Sequence, residues 1–265
     1  MTTRRRIGLL GQGYIGRYVL QRLLAEPELG YDVAFVWNRD ADKLAHVPAE
    51  LRLTDLNGMA ARKPDLVVEM AHPALSRDWG ARILAIADYM PLSVTAMAEP
   101  ATEQALLDAA TRYNHRLCIP HGALIGVDNL AEGRGNWIAT TITFRKHPKG
   151  IDFADSGFDP AGIAGETLVY DGPARGIAMK FPRNVNTMVT AALASVGLDK
   201  CRARLIADPA LTRGILELEA VGADGSVMRC FKSQPMVGVS GTEMLVSQFG
   251  SILRVGAHVP GLIFV

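Results

Sequence analysis

Ile7-Gly8-Leu9-Leu10-Gly11-Gln12-Gly13-Tyr14-Ile15-Gly16 decides the fold. A short apolar run meets a glycine-rich turn, and Val19, Leu20, Leu23 and Leu24 then recur at helical spacing. A strand that passes through such a turn into a helix aims the helix's first N–H groups at one point, where a dinucleotide pyrophosphate binds. Gly11 permits the tight turn, and Gly13 lets the backbone approach the phosphates with no Cβ in the way. Gly16 lets the helix pack closely on the sheet. Gln12, Tyr14 and Ile15 complete the turn, so residues 11–16 are the first candidates for cofactor contact. A merely structural strand-to-helix turn is the alternative reading.

Outward from this turn, Val33-Ala34-Phe35-Val36-Trp37 reads as a buried strand ending at Asn38-Arg39-Asp40. The residue at that strand end faces the adenosine ribose. An acidic side chain there bonds the 2′-hydroxyl of NAD, whereas a nearby arginine accommodates the 2′-phosphate of NADP. Asn38 carries no charge to repel a phosphate and Arg39 can pair with one, so the pattern leans to NADP. NAD stays open through Asp40.

Further strand signals are Leu51-Arg52-Leu53, Leu66-Val67-Val68-Glu69-Met70, Met90-Pro91-Leu92-Ser93-Val94 and Leu117-Cys118-Ile119. They alternate with helical patterns over about residues 75–87 and 100–113, which argues for a doubly wound parallel sheet. His72 follows the second of these runs, Leu66–Met70, at a strand's carboxyl end, where ligands of open α/β sheets bind, and is a candidate for cofactor contact.

From Pro120 the pattern changes. Thr141-Ile142-Thr143-Phe144-Arg145, Leu216-Glu217-Leu218-Glu219 and Val227-Met228-Arg229-Cys230-Phe231 alternate like half-buried antiparallel strands. Residues 188–196 are apolar on nearly every face, as in a buried helix. The expected organisation is a nucleotide-binding domain at 1–120 and an α+β substrate and dimerisation domain at 121–240. A terminal segment at 241–265 would carry a helix from about Glu243 to Leu253 back to the first domain.

Composition sets the outer limits. The 265 residues are 49% apolar with a net charge of +1, and they show neither a basic stripe nor an acidic tail, so nucleic acid is not expected as a partner. Cys118, Cys201 and Cys230 are odd in number and lack metal-ligand spacing, which suits reduced core thiols and no metal site. Arg4-Arg5-Arg6 precedes an apolar run that the glycines stop far short of a signal sequence or a membrane span. The expected location is the cytoplasm.

Two stretches of the second half read as site loops. Pro120-His121-Gly122-Ala123-Leu124-Ile125-Gly126-Val127-Asp128-Asn129 has glycines for close backbone approach and runs into a helix. Lys180-Phe181-Pro182-Arg183-Asn184-Val185-Asn186 leads into the apolar helix. Asn184 or Asn186 either caps that helix or, with Arg183 and Lys180 beside it, holds a carboxamide or carboxylate.

At these loops the sequence resembles the L-aspartate dehydrogenases. The resemblance rests on residues 11–16, on Gly122-Ala123-Leu124-Ile125-Gly126-Val127-Asp128, and on Phe181-Pro182-Arg183-Asn184-Val185-Asn186 before an alanine-rich helix. It implies a Rossmann domain joined to an α+β domain used for catalysis and usually for dimerisation, hence a homodimer. It also implies oxidation of L-aspartate by NAD or NADP through iminosuccinate to oxaloacetate and ammonia, or the reverse. On the resemblance, Ala123 and Asn186 lie against the nicotinamide end of the cofactor.

One departure stands out. Members of that family carry a catalytic histidine in a later strand, usually just before a glutamate, and Leu216 holds its place here. The loop before Gly122 carries His121 where the family usually has a small residue. Dehydrogenating an amine needs a base, a cluster for carboxylates and a nicotinamide held about 3–3.5 Å from the reacting carbon. His121 and Lys180 are the candidates for proton transfer, and Arg183 and Asn184 for a small carboxylate substrate. The related sugar-type oxidoreductases fit less well, because their lysine before a proline is replaced in Ala98-Glu99-Pro100. A reductase of another small imine or keto acid, and a nucleotide-binding sensor without catalysis, remain the rival readings.

Overall fold

The computed structural model describes residues 4–122, 124–237, 240–241 and 243–256. The chain divides into two compact units. The first gathers the chain up to Ser93, Gln104–Pro120 and the stretch from Gln248; the second gathers Val94–Glu103 and His121–Ser247.

The first unit is built on five parallel strands, β1 (Arg5–Leu10), β2 (Tyr31–Trp37), β3 (Arg52–Leu53), β4 (Leu66–Glu69) and β5 (Asp88–Pro91), in the order β3-β2-β1-β4-β5. All four residues of β4 are buried, as are Ile7, Leu9 and Leu10 of β1, because a parallel sheet is covered on both faces. The helices of this half are α1 (Tyr14–Ala25), α2 (Pro73–Leu84) and, from Gln104 onward, α3 (Pro100–Tyr113). Val19, Leu20 and Leu23 of α1 are buried on the sheet, whereas Leu24, expected with them, is 47% exposed. β1 lies between β2 and β4, so the strand order reverses at its carboxyl end, where an open α/β sheet binds its ligand. The glycine turn leaves from that point.

Three expectations for this half need correction. The strand signal at Leu51-Arg52-Leu53 yields a two-residue β3, since Ala49–Leu51 is a 3₁₀ turn. β5 ends at Pro91, and Val94–Ala98 forms another 3₁₀ turn. Leu117-Cys118-Ile119 is not a strand but a single bridge between Leu117 and Tyr89, flanked by backbone bonds from Tyr89 N–H to Arg116 and from Cys118 N–H to Tyr89.

The second unit holds α4 (Val127–Glu132), β6 (Trp137–Lys146), β7 (Thr167–Pro173), α5 (Ala174–Lys180), α6 (Asn186–Leu193), β8 (Arg202–Ala207), β9 (Gly214–Gly222) and β10 (Val227–Gln234). Its sheet has the order β10-β9-β6-β8-β7 and is mixed: β6 pairs parallel with β8, and the other neighbours are antiparallel. That corrects the purely antiparallel expectation. Burial alternates strictly along β9, placing Leu216, Leu218 and Ala220 on the covered face and Glu217 and Glu219 on the other. A short pair, β11 (Met236–Val237) and β12 (Ser240–Gly241), precedes α7 (Met244–Arg254). Phe249 and Ile252 of α7 join the first unit's core, where the Tyr31 hydroxyl donates to the Ile252 carbonyl at 2.8 Å.

Candidate active site

The glycine turn is built by backbone constraint. Gly11 has φ +106°, in the region that L side chains rarely adopt, and a Cβ there would lie 2.8 Å from the Met70 carbonyl oxygen. A Cβ on Gly16 would fall well inside van der Waals contact of the Gly11 carbonyl oxygen. A Cβ on Gly13 would meet nothing within 4 Å. Gly11 and Gly16 are therefore required by the protein's own packing, and Gly13 faces open space.

Around the turn, Gln12 N–H donates to Asn38 Oδ1 at 2.9 Å, and the buried Gln12 side chain donates to the Gly11 carbonyl at 3.0 Å and contacts His46 Nε2 at 3.1 Å. No side chain caps α1 and its first turn holds no acidic residue, so its leading N–H groups are open to an anion. Tyr14 is exposed beside them and Ile15 is partly buried. This donor set and the open face at Gly13 fit the pyrophosphate of a dinucleotide.

At the end of β2 the side chains divide their work. Asn38 ties Gln12 N–H to the Asp40 carbonyl, and Asp40 Oδ1 accepts from Asp42 N–H at 3.1 Å. Arg39 is exposed and makes no hydrogen bond or ion pair among the described residues. His72 is the N-cap of α2, its Nδ1 accepting from Ala74 N–H at 3.1 Å.

Sequence reading missed Glu69, the fully buried last residue of β4. Its Oε1 accepts from the N–H groups of Ala71 and His72 and from the Ser93 hydroxyl, and its Oε2 from Ser93 N–H. Burial pushes its carboxyl above the usual range, against the opposing pull of these donors.

In the second unit, Arg183, Asn184 and Asn186 share one loop. Asn184 is buried and committed at both ends, accepting from Asp152 N–H at 2.8 Å and donating to the Gly150 carbonyl at 3.0 Å. Asn186 Oδ1 accepts from Thr95 N–H at 3.0 Å, and the Thr95 hydroxyl donates to the Pro182 carbonyl at 2.9 Å. Neither asparagine caps α6, whose N-cap is Val185. Arg183 is exposed and pairs with Asp152 at 3.0 Å. Lys180 ends α5, exposed, with no hydrogen bond or ion pair among the described residues. His121 Nε2 lies 3.2 Å from Asp128 Oδ1. Ala123 lies outside the described residues.

Lys146 is the other residue that sequence reading missed. It ends β6, is buried, donates from Nζ to the Asn184 carbonyl at 3.4 Å and lies 5.0 Å from the Phe144 ring centroid. Burial alone pulls its pKa down to about 8. The linkage has a definite sign. Below pH 8 both folded and unfolded chains hold the proton and the burial penalty is felt in full. Between about 8 and 10.5 only the unfolded chain holds it, so stability rises with pH by about 1.4 kcal/mol per unit. Lys146→Met should thus be the more stable protein at neutral pH, and its advantage in urea unfolding should shrink from pH 8 to 10.5. An advantage that does not change with pH would contradict the depressed pKa.

Cys118 and Cys201 are pushed up to about 11 and about 12 by burial, which makes them poor nucleophiles. Among the described residues no cluster of three metal-binding side chains occurs, and no helix is long and apolar enough to cross a membrane.

Residues 128–248 match the family described as aspartate dehydrogenase, C-terminal, and residues 11–120 match the NAD-binding domain of homoserine dehydrogenase. The chain is 35% identical over 218 residues to an aspartate dehydrogenase domain-containing protein of Xenopus tropicalis, covering 78% of this chain and 76% of the relative. It is 32% identical over 248 residues to an L-aspartate dehydrogenase of Ralstonia nicotianae, covering 90% and 92%. The chain belongs to the aspartate dehydrogenase family. Its fold is similar to that of the solved aspartate dehydrogenase of Thermotoga maritima, with a TM-score of 0.73, 23% identity and 95% of each chain covered. As a member of this family it is an oxidoreductase that uses a nicotinamide cofactor, and the open turn at Gly13 agrees with that in chemical terms.

Proposed function

We propose that this aspartate dehydrogenase homologue interconverts L-aspartate with iminosuccinate, which water carries on to oxaloacetate and ammonia, and that it uses NADP in preference to NAD. The observation that carries the substrate is the similarity, over nine tenths of both chains, to a protein named L-aspartate dehydrogenase. The resemblance also supports a homodimer acting on a small carboxylate. When bound, the cofactor supplies the hydride acceptor or donor. The chain's own part is to hold the pyrophosphate at residues 11–16, to fix the loop of Arg183, Asn184 and Asn186 against a carboxylate, and to move one proton.

A second reading keeps the reaction type and changes the substrate. Leu216, which on the resemblance holds the place of the family's histidine, is buried on β9 and pairs with Phe144 on one side and Lys232 on the other. An apolar residue at that point favours another small imine or keto acid. Turnover of L-aspartate, and of oxaloacetate with ammonia, measured beside a panel of other small amino and keto acids, separates these readings. No turnover of any of them by cofactor-binding protein would overturn both.

The cofactor preference rests on the end of β2. Asp40 is engaged in a turn and Arg39 is the exposed cation beside it. A charge-assisted bond to the 2′-phosphate contributes about 1.5–3 kcal/mol, so Arg39→Ala should weaken NADP about 10–100-fold and leave NAD nearly unchanged. Fluorescence titration with both cofactors measures this, and equal losses would remove Arg39 as the discriminator.

A further inference from the structure

We propose that Lys146 is the proton carrier of the reaction, accepting a proton from the substrate nitrogen during oxidation and returning it during reduction. This rests on the amino-acid dehydrogenase reading above.

The covered face of the second sheet brings this residue forward. Thr140, Ile142, Phe144 and Lys146 of β6 fall on that face, opposite Leu216 and Leu218 of β9, which pair with Phe144 and Ile142. Ile142, Phe144, Leu216 and Leu218 are apolar, Thr140 puts a buried hydroxyl among them, and the end of the strand carries the buried lysine. An ammonium in such surroundings costs more than the methylene chain gains, and an apolar side chain of the same length would fill the space at lower free energy. Lys146 Nζ bends back over the Phe144 ring and donates to the backbone carbonyl of Asn184. Its nitrogen therefore sits at the loop whose other members are Arg183 and Asn186.

Among the described residues, charged groups on the neighbouring elements hold ion pairs of their own. Arg145 turns to the opposite face and pairs with Glu166 and Glu217. Asp152 pairs with Arg183 in the adjoining loop. Lys232, opposite Leu216 on β10, pairs with Glu243. On β8, Arg202 and Arg204 pair with Asp171. None of them contributes to the depressed pKa of about 8, which leaves Lys146 substantially neutral in mildly alkaline solution.

The step balances as follows. In oxidation, the Cα–H bond of the amino acid breaks and its electron pair leaves as hydride to the oxidised nicotinamide. One N–H bond of the substrate ammonium also breaks. Its electron pair closes the C=N bond, and neutral Lys146 Nζ takes the proton to become an ammonium. The products are an iminium, the reduced nicotinamide and protonated Lys146; reduction runs the same exchange backwards.

The test compares wild type with Lys146→Met, Lys146→Arg and His121→Ala, using L-aspartate or whichever amino acid of the panel wild type oxidises. Wild-type kcat/KM should rise with pH through about 8. Lys146→Met and Lys146→Arg should each lose about 10²–10⁴-fold and that limb of the profile, the usual size of a general acid–base contribution. The arginine retains the donor to Asn184 but cannot give up its proton, so a role confined to positioning would leave it active. Cofactor titration and urea unfolding should show that both variants are folded and bind the cofactor as wild type does. His121→Ala should keep the limb. Retention of the rate or of the limb in Lys146→Met, an active Lys146→Arg, or loss of the limb in His121→Ala alone would overturn the assignment to Lys146 while leaving the dehydrogenase reading intact. Failure of wild type to oxidise any amino acid in the panel would overturn both.

Discussion

Gly13→Val should fold with the wild-type unfolding midpoint and lose cofactor affinity about 100-fold or more. The space next to Gly13 is open in the protein itself, since a Cβ there meets nothing within 4 Å. A branched side chain therefore strains no internal contact. It occupies the ground that a pyrophosphate needs in order to reach the free N–H groups of α1. Losing two charge-assisted hydrogen bonds at about 1.5 kcal/mol each removes about 3 kcal/mol of binding, which is about two powers of ten. Gly16→Val should fail in the opposite way. Its side chain would be driven into the Gly11 carbonyl oxygen, with no flexible atom to move aside, so stability should fall by about 3 kcal/mol or more and binding should follow. Calorimetric titration together with urea unfolding separates the two outcomes. A destabilised Gly13→Val, or one that binds normally, would end the cradle reading of this turn.

The contrast between these glycines shows what a sequence can and cannot carry. Spacing identifies the turn because a strand, a helix and three residues without Cβ atoms leave few other arrangements. The buried strands β1 and β4 were equally legible, since parallel strands covered on both faces read as continuous apolar runs. β7 and β8 were not. Thr167–Pro173 carries an aspartate, a glycine and a proline, and Arg202–Ala207 begins with alternating arginines that pair with Asp171, so neither run looks apolar. Leu117-Cys118-Ile119 failed for the reverse reason: it is apolar enough for a strand, yet only Leu117 pairs. Lys146 was invisible because a lysine just past an alternating run reads as solvated. Its burial is made partly by Asn184, 38 residues away in the chain. Asn184 itself was found by its company, but nothing local shows that its amide is spent on Gly150 and Asp152.

Glu69→Ala should lose about 3 kcal/mol of stability and, by loosening the backbone behind the glycine turn, bind the cofactor more weakly. The carboxylate gathers three N–H groups and a hydroxyl from two loops, after β4 and after β5. Alanine orphans all four donors. Those of Ala71 and His72 lie in exposed residues and regain water, so the cost is below the sum of about 1–3 kcal/mol for each. The loss reaches the glycine turn because Gly11 backs directly onto this loop, its Cβ position lying 2.8 Å from the Met70 oxygen and 2.9 Å from Ala71 Cβ. Glu69→Gln should cost no more than about 1 kcal/mol, since its carbonyl can replace Oε1 and only the donor from Ser93 N–H to Oε2 is left facing an amide. The pH dependence has the sign of a raised carboxyl. Between the ordinary glutamate range and the raised folded value, the folded chain holds a proton that the unfolded chain has lost, so this group's contribution to stability falls as pH rises through that window. Glutamine removes that contribution. Urea unfolding of wild type and Glu69→Gln across the acid range should therefore converge at the raised value from the low-pH side, with wild type relatively more stable where Glu69 is protonated. A difference that grows in favour of wild type with rising pH would show that the four donors outweigh burial and that the carboxyl is depressed instead.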